Sequence, residues 1–217
     1  MNAAMLKLFG DITAFSSKAD VRLQEKGQEP MTMTINFAML EGNVRVDLDM
    51  SNVKSAQLSA EILASYKSAG MERVTTILRR DRKSALLIYP SVQSYVELPM
   101  SREEARDMER RFKIDKTKLG RETIEGQACD KTRVVVSADA GEKQEAVVWY
   151  APSLKDFPLR MQMDQPRMTV TMQYHDVSLN RPETRQFDAP VGFSKYASVE
   201  QLVQKAMRKA LGGRTQP

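Results

Sequence analysis

The residues best suited to nucleophilic chemistry occur once each: one cysteine, Cys129, and one histidine, His175. A thiol activated by an imidazole needs the two within hydrogen-bond reach. Both lie inside strand-like runs, GQACDKTRV and MTVTMQYHDV, rather than in loops at a cleft rim, so a buried thiol and an exposed strand histidine are the simpler expectation. Asp47 and Asp49 could form a carboxylate pair, but they alternate with Val46, Leu48 and Met50, which reads as the solvated outer face of a strand. Arg79, Arg80, Arg82 and Lys83 cluster at a predicted turn and could meet phosphate headgroups; a charged hairpin tip in water is the plainer account. No phosphate-binding glycine loop, GxSxG or zinc-ligand spacing occurs. The expectation is a protein that is not an enzyme and uses no cofactor or metal.

What the fold must position is therefore a surface rather than a catalytic group. With 33 basic and 28 acidic side chains mixed along 217 residues, the net charge of +5 is a small difference between large numbers. No basic run is interleaved with stacking aromatics, so nucleic acid is not an expected partner, while contact with an anionic membrane surface stays compatible. Apolar residues make up 41% of the chain and aromatics only 6%, yet methionine appears 14 times. Methionine suits irregular cores and varied apolar partners. The length fits one domain, 1–217, with a sizeable core. No segment approaches the roughly 18 consecutive apolar residues of a membrane span. The opening MNAAMLKLFG is too weakly apolar for a signal peptide and lacks a cleavage site, which leaves the cytoplasm or an exported protein whose leader lies upstream. A lone cysteine fits both.

The organising stretch is 119–174. Its strand-like runs, ETIEG, TRVVVSA, AVVWYAP, PLRMQM and MTVTMQYHDV, are separated by short turns that include Gly126-Gln127, Asp139-Ala140-Gly141-Glu142 and Gln165-Pro166-Arg167. Such turns reverse the chain locally, so the runs should be antiparallel neighbours. Upstream, alternation of period two places Phe15, Ser17, Ala19, Val21 and Leu23 on one face, and Met31, Met33, Ile35, Phe37 and Met39 on the next. After a Glu41-Gly42-Asn43 turn, Val44, Val46, Leu48 and Met50 continue the pattern. MERVTTILRR, SALLIYP and QSYVELP predict further strands.

Helices are predicted between these trios. The first ten residues put Met5, Leu8 and Phe9 on one helical face, with Gly10 as cap. Residues 53–69 align Leu58, Ile62, Tyr66 and Ala69. Ser101 and Glu104 form a capping box ahead of Ala105, Met108 and Phe112, which face inward. FDAP and GF form a short extended tail before the last helix. Ser198 and Gln201 open that helix, which carries Val199, Leu202, Val203, Ala206 and Ala210 on one face and stops at Gly212-Gly213. It is expected to cover the outer side of the runs 134–136 and 147–150, with a dimer contact as the alternative.

This order of elements, with the phrases GNVRVDLDM, LLIYPSVQSYVELP, GRETIEGQACDKTRV and VVWYAPSLKDFPLRM, resembles the LolA-like superfamily of bacterial lipoprotein carriers and the uncharacterised envelope proteins grouped with it. The resemblance covers nearly the whole chain, and its motifs are structural. It implies a mainly β fold with α: a curved antiparallel unclosed half-barrel of about 11 strands with helices across the concave face. It also implies an exported protein, periplasmic or outer-membrane associated and often lipid-anchored, with an upstream signal peptide in the natural gene; this chain has no lipidated N-terminal cysteine. The implied function is binding of lipid or of an acylated protein's chains in an apolar cleft between sheet and helices, by burial rather than chemistry. The alternative is a protein-interaction or sensor module with a self-filled cleft. The candidate cavity-lining residues are Met33, Ile35, Phe37, Val46, Leu48, Leu58, Ile62, Tyr66, Met161, Met163, Val170 and Met172. Among them, Leu58, Ile62 and Tyr66 would form a lid pointing at Met33, Ile35 and Phe37.

Overall fold

The computed structural model describes residues 3–138 and 143–212. The alternating runs form the strands β1 (Ala14–Glu25), β2 (Met31–Leu40), β3 (Asn43–Asp49), β4 (Arg73–Arg79), β5 (Ser84–Tyr89) and β6 (Ser94–Pro99). They continue as β7 (Phe112–Ile124), β8 (Gln127–Ala138), β9 (Lys143–Ala151), β10 (Phe157–Asp164), β11 (Met168–Ser178) and β12 (Ser194–Tyr196). All belong to one 12-stranded sheet of order β12-β6-β5-β4-β3-β2-β1-β11-β10-β9-β8-β7. The two ends of that order do not pair with each other, so the sheet stays open, as expected for a half-barrel. Every pairing between its strands is antiparallel except the short β12–β6 edge.

Two corrections to the strand reading follow from edges. Ser194–Tyr196, just after the expected extended tail of FDAP and GF, adds a twelfth strand to the eleven or so expected by pairing parallel to Ser94–Val96. Phe112, expected on a helix, instead begins β7, because the helix α3 (Arg102–Glu109) stops after the reciprocal Ser101 and Glu104 capping box has opened it. The expected turn at 139–142, and Gly213 as a helix stop, lie outside the described residues. Hairpin chemistry behaves as read at Glu41-Gly42, and the turn expected at Gly126-Gln127 falls one residue earlier, at Glu125-Gly126, because Gln127 already pairs with Ile124; both residues of each pair have positive φ. That is the primed turn geometry whose twist matches the flanking strands, and glycine supplies the second position without strain.

Register explains the core. Pairing sets Ser17 against Phe37, Ala19 against Ile35 and Tyr174, and Val21 against Met33 and Met172, so one concave face runs through β11, β1 and β2. It continues through Phe37, Val46, Thr76, Leu87 and Val96 across β2 to β6. The N-terminal helix α1 (Ala3–Leu6) and the 3-10 turn Lys7–Phe9 pack on this face, where Leu8 and Phe9 are buried. Around Phe9 the rings of Phe15, Phe37, Phe157 and Tyr174 close up, with centroid distances of 4.8 Å for Phe9–Phe15 and Phe15–Phe157. Several of these pairs meet edge to face, the geometry that ring quadrupoles favour.

The helix α4 (Val199–Gly212) packs through Leu202 and Ala206 on Ala69, Met71 and Val96. It therefore sits on the concave side near the β6 edge, not over 134–136 and 147–150, because those strands lie at the far end of the sheet. On the convex side, Phe187 covers Ala38, Leu40, Ile77, Leu86 and Ile88.

The aromatic cluster should dominate stability. Replacing Phe15, which is fully buried, with alanine should cost about 3–5 kcal/mol in a denaturant titration; a loss under about 1 kcal/mol would show that the cluster collapses around the cavity without penalty.

Candidate functional site

The aromatic cluster fills only one end of the concave face. Toward the other end, beyond Phe37, strand positions carry methionine and aliphatic side chains, and among the described residues no element covers them all. What remains is a cavity of about 640 Å³. Its walls are Val21 and Leu23 of β1, Met33, Ile35 and Phe37 of β2, Val46 and Leu48 of β3, Val74 of β4, Met163 of β10, and Val170 and Met172 of β11, with Met5 of α1 at its inner side. Register brings these together: Val21 sits between Met33 and Met172, and Met163 opposes Val170.

Thr76 of β4 adds a hydroxyl to the wall beside Val46, and the charged and amide lining residues are exposed ones at strand ends and turns. Lys143, Gln144, Glu145, Asp164 and Gln165 form this mouth. Glu145 is paired with Arg133 at 3.1 Å, and Asp164 accepts from the Thr169 hydroxyl at 2.8 Å. A carboxylate kept wet and paired costs little there, whereas one inside the apolar wall would have to be desolvated.

Of the residues expected at the cavity, Met33, Ile35, Phe37, Val46, Leu48, Met163, Val170 and Met172 line it. Met161 does not: it is fully buried in the wall, opposite Met172 and Val148. Leu58, Ile62 and Tyr66 are also absent from the lining. The helix α2 (Ala60–Ser68) has no buried residue, and Ile62 and Tyr66 are 42% and 41% exposed. The reason lies at its C-terminal end. Gly70 adopts φ +66 so close to the 3-10 turn Pro90–Val92 that an added Cβ would lie 2.9 Å from Val92, and Ala69 and Met71 are buried beside α4. The helix is thus anchored over the β5–β6 hairpin, and the expected lid contacts with Met33, Ile35 and Phe37 are not made.

Val21, Leu23, Val74 and Met5 were not anticipated at the cavity. The alternation of β1 already put Val21 and Leu23 on an apolar face. What sequence could not show is that β1 is the central strand, joined to β11 from the far end of the chain.

The other reactive residues do not converge. Cys129 is buried with its thiol directed at the Gln127 carbonyl, and burial pushes its pKa up. His175 lies on β11, near Asp20 and Asp176 at 3.6 and 3.7 Å, with β9 and β10 between it and the strand of Cys129. Three strand spacings of about 4.8 Å keep the pair apart. Asp47 is held by Arg45 at 2.7 Å and by the Thr75 hydroxyl. Asp49 accepts from Ser51 and Arg73, contacts that lower its pKa, the Ser51 hydroxyl most.

In the basic hairpin Arg80, Arg82 and Lys83 are exposed, as expected of a solvated tip, and Arg79 departs from that reading. Arg79 is 4% exposed and donates to the Ser84 hydroxyl and to Glu97, because its position faces the covered convex side. Arg80 donates to the Met108 carbonyl, Arg82 pairs with Asp188 at 2.9 Å, and Lys83 pairs with Glu109 at 2.8 Å. The cluster ties the fold together. Among the described residues no group of His, Cys, Asp and Glu is arranged to hold a metal ion.

A second cavity of about 570 Å³ lies beside the aromatic end, lined by 8–14, Lys116, Tyr150, Lys155, Asp156 and Leu179. Its charges cancel, two lysines against Asp11 and Asp156. The Tyr150 hydroxyl finds no hydrogen-bond partner among the described residues, and Lys116 Nζ stands 4.4 Å from its ring centre.

The family model described as a domain of unknown function, DUF4412, matches residues 19–157. No curated protein sequence matches the chain. Among solved structures, the chain is similar to the Mycobacterium tuberculosis lipoprotein LppX, with 13% identity, 83% of this chain and 93% of that one covered, and a TM-score of 0.47. It is similar to a LolA superfamily protein from Nitrosomonas europaea, with 11% identity, 87% and 98% covered, and a TM-score of 0.39. It is also similar to MucB in complex with MucA(peri), with 10% identity, 91% and 63% covered, and a TM-score of 0.40. LolA-superfamily structures are thus among the matches, as the sequence resemblance implies. No helix among the described residues is long and apolar enough to cross a membrane.

Burial, and then the Asp156 charge, push the Tyr150 phenol up to about 12. An unfolded tyrosine ionises near pH 10, so below that pH the phenol is neutral in both states and costs nothing. Between about pH 10 and about pH 12 only the unfolded chain loses the proton, and this residue should remove roughly 2–3 kcal/mol of stability over that window. Absorbance titration of the phenolates should show Tyr150 ionising late, and Tyr150→Phe should abolish its share of the stability loss. An unchanged slope in that variant would contradict the assignment.

Proposed function

The chain belongs to the DUF4412 family, and from that premise we propose that it is a non-catalytic bacterial envelope protein that holds a lipid, or the acyl chain of a lipoprotein, at the open end of its concave sheet face. The observation that carries this reading is the 640 Å³ apolar cavity with its charges confined to the mouth. Small-molecule sites fall at about 300–1,000 Å³ and are apolar with a few polar groups for orientation. The eight anticipated lining residues, with Val21, Leu23, Val74 and Met5, would contact the ligand. Methionine side chains can follow a chain of varied length and unsaturation without a fixed shape. Each methylene taken out of water gains about 0.8 kcal/mol, so a partly buried chain offsets the ordering cost of binding. A periplasmic or outer-membrane location is where such a ligand would be met.

Solvent extraction of the natively purified protein, followed by mass spectrometry, should release a stoichiometric lipid. Val46→Trp places an indole in the cavity on a half-buried wall position. Displacing two or more methylenes should lower lipid retention about tenfold or more, while Ile62→Asp, off the cavity, should leave it unchanged. Absence of lipid from the native protein, with Val46→Trp indistinguishable from wild type in binding an added fatty acid, would favour the second reading, an interaction module whose groove is filled by its own side chains. The aromatic cluster at the closed end is the feature that supports that reading.

A further inference from the structure

The sheet ends on one side in β12, three residues long, and on the other in β7, which is thirteen residues long and, among the described residues, pairs with β8 alone. From Lys113 to Thr123 every residue of β7 is exposed. A bare edge of that length presents backbone N–H and C=O groups that can template another strand, and folds normally shorten, cover or charge such an edge. Here it is charged, and the pattern of charge selects among occupants. Register assigns Ile114, Lys116 and Lys118 to the concave side, opposite Val136, Val134 and Thr132, with Lys113, Asp115 and Thr117 on the other. The segment 113–122 holds four cations against two carboxylates. Lys118 and Arg121 share one partner, Asp130, at 3.0 Å each, and Lys116 rests on the Tyr150 ring, not on a carboxylate.

A second copy cannot satisfy both lysines of this edge. Antiparallel self-pairing about Thr117, Lys116 or Asp115 opposes like charges; pairing about Leu119 sets Lys116 against Glu122 but Lys118 against Gly120, and pairing about Gly120 sets Lys118 against Glu122 but Lys116 against Ile124. Like charges directly opposite are destabilising across strands. We propose that β7 is a docking edge for an extended acidic segment of another protein, added as a further strand with alternate carboxylates facing Lys116 and Lys118. Main-chain hydrogen bonds would supply the affinity and the lysine pair the selection, as in strand addition generally. The edge is separate from the apolar cavity, whose lining contains no β7 residue, so occupancy of one does not presuppose the other.

The test uses the full chain with two blocked synthetic peptides, one alternating glutamate and valine, the other lysine and valine. The acidic peptide should bind, with amide-exchange protection gained along β7, and the basic one should bind at least about tenfold more weakly. Exchanging Lys116 and Lys118 for glutamate, at exposed positions where the lysines give up only the Tyr150 ring and Asp130 contacts, should reverse the preference in a variant whose circular dichroism matches wild type. Equal binding of both peptides by wild type, protection gained elsewhere than β7, or a preference unmoved by the double substitution would overturn the proposal. So would sedimentation showing a dimer that Lys116→Glu strengthens or leaves intact, since a second copy would then be the occupant.

Discussion

A twisted sheet that never closes has to cover its apolar concave face with something other than itself, and the described residues of this chain supply too little cover for the whole of it. The N-terminal turn delivers Leu8 and Phe9 to one end, where five rings stack into a plug. α4 covers the β6 edge through Leu202 and Ala206. Between them Leu23, Met33, Val46 and Leu48 stay only partly buried. The cavity is the uncovered remainder of a core, which is why its walls belong to the same strands and the same face as the plug. Stability and binding are thus separated along the strands, so a ligand can enter without opening the aromatic end.

The polar chemistry is distributed to match. Arginines and carboxylates that could look like a site in the sequence act as ties on the convex side. Arg79 joins β4 to β5 and β6, and the Glu97 it meets is also held by Lys195, whose hydrogen bond is the main cause of that carboxyl's lowered pKa. Arg45 reaches the Gln186 carbonyl, so the segment that carries Phe187 over the outer core is pinned at both polar and apolar points. None of these groups faces the cavity.

How much of this was legible depends on which physical signal each element carries. β1 to β3 are buried on one face only, so their period of two is plain, and with it most of the cavity wall. β7 is exposed on both faces, so nothing forces alternation beyond Phe112 and Ile114, and its charges resemble the helix that precedes it. The face of a helix can be read from spacing, but its place in the fold cannot. Leu58, Ile62 and Tyr66 do share a stripe, yet close packing of Gly70 against Val92 sends that helix to the sheet edge. Pairing of β1 with β11 joins residues some 150 positions apart, and no local pattern encodes it.

The methionines are built-in reporters of the central claim. With their methyl groups labelled, a titration with a long-chain fatty acid followed by NMR should shift Met5, Met33, Met163 and Met172, which line the cavity. Met71, under α4, and Met100 and Met108, near α3, should stay fixed. Shifts confined to Met71, Met100 or Met108, or none at any methionine at saturating ligand, would contradict a lipid site on the uncovered concave face.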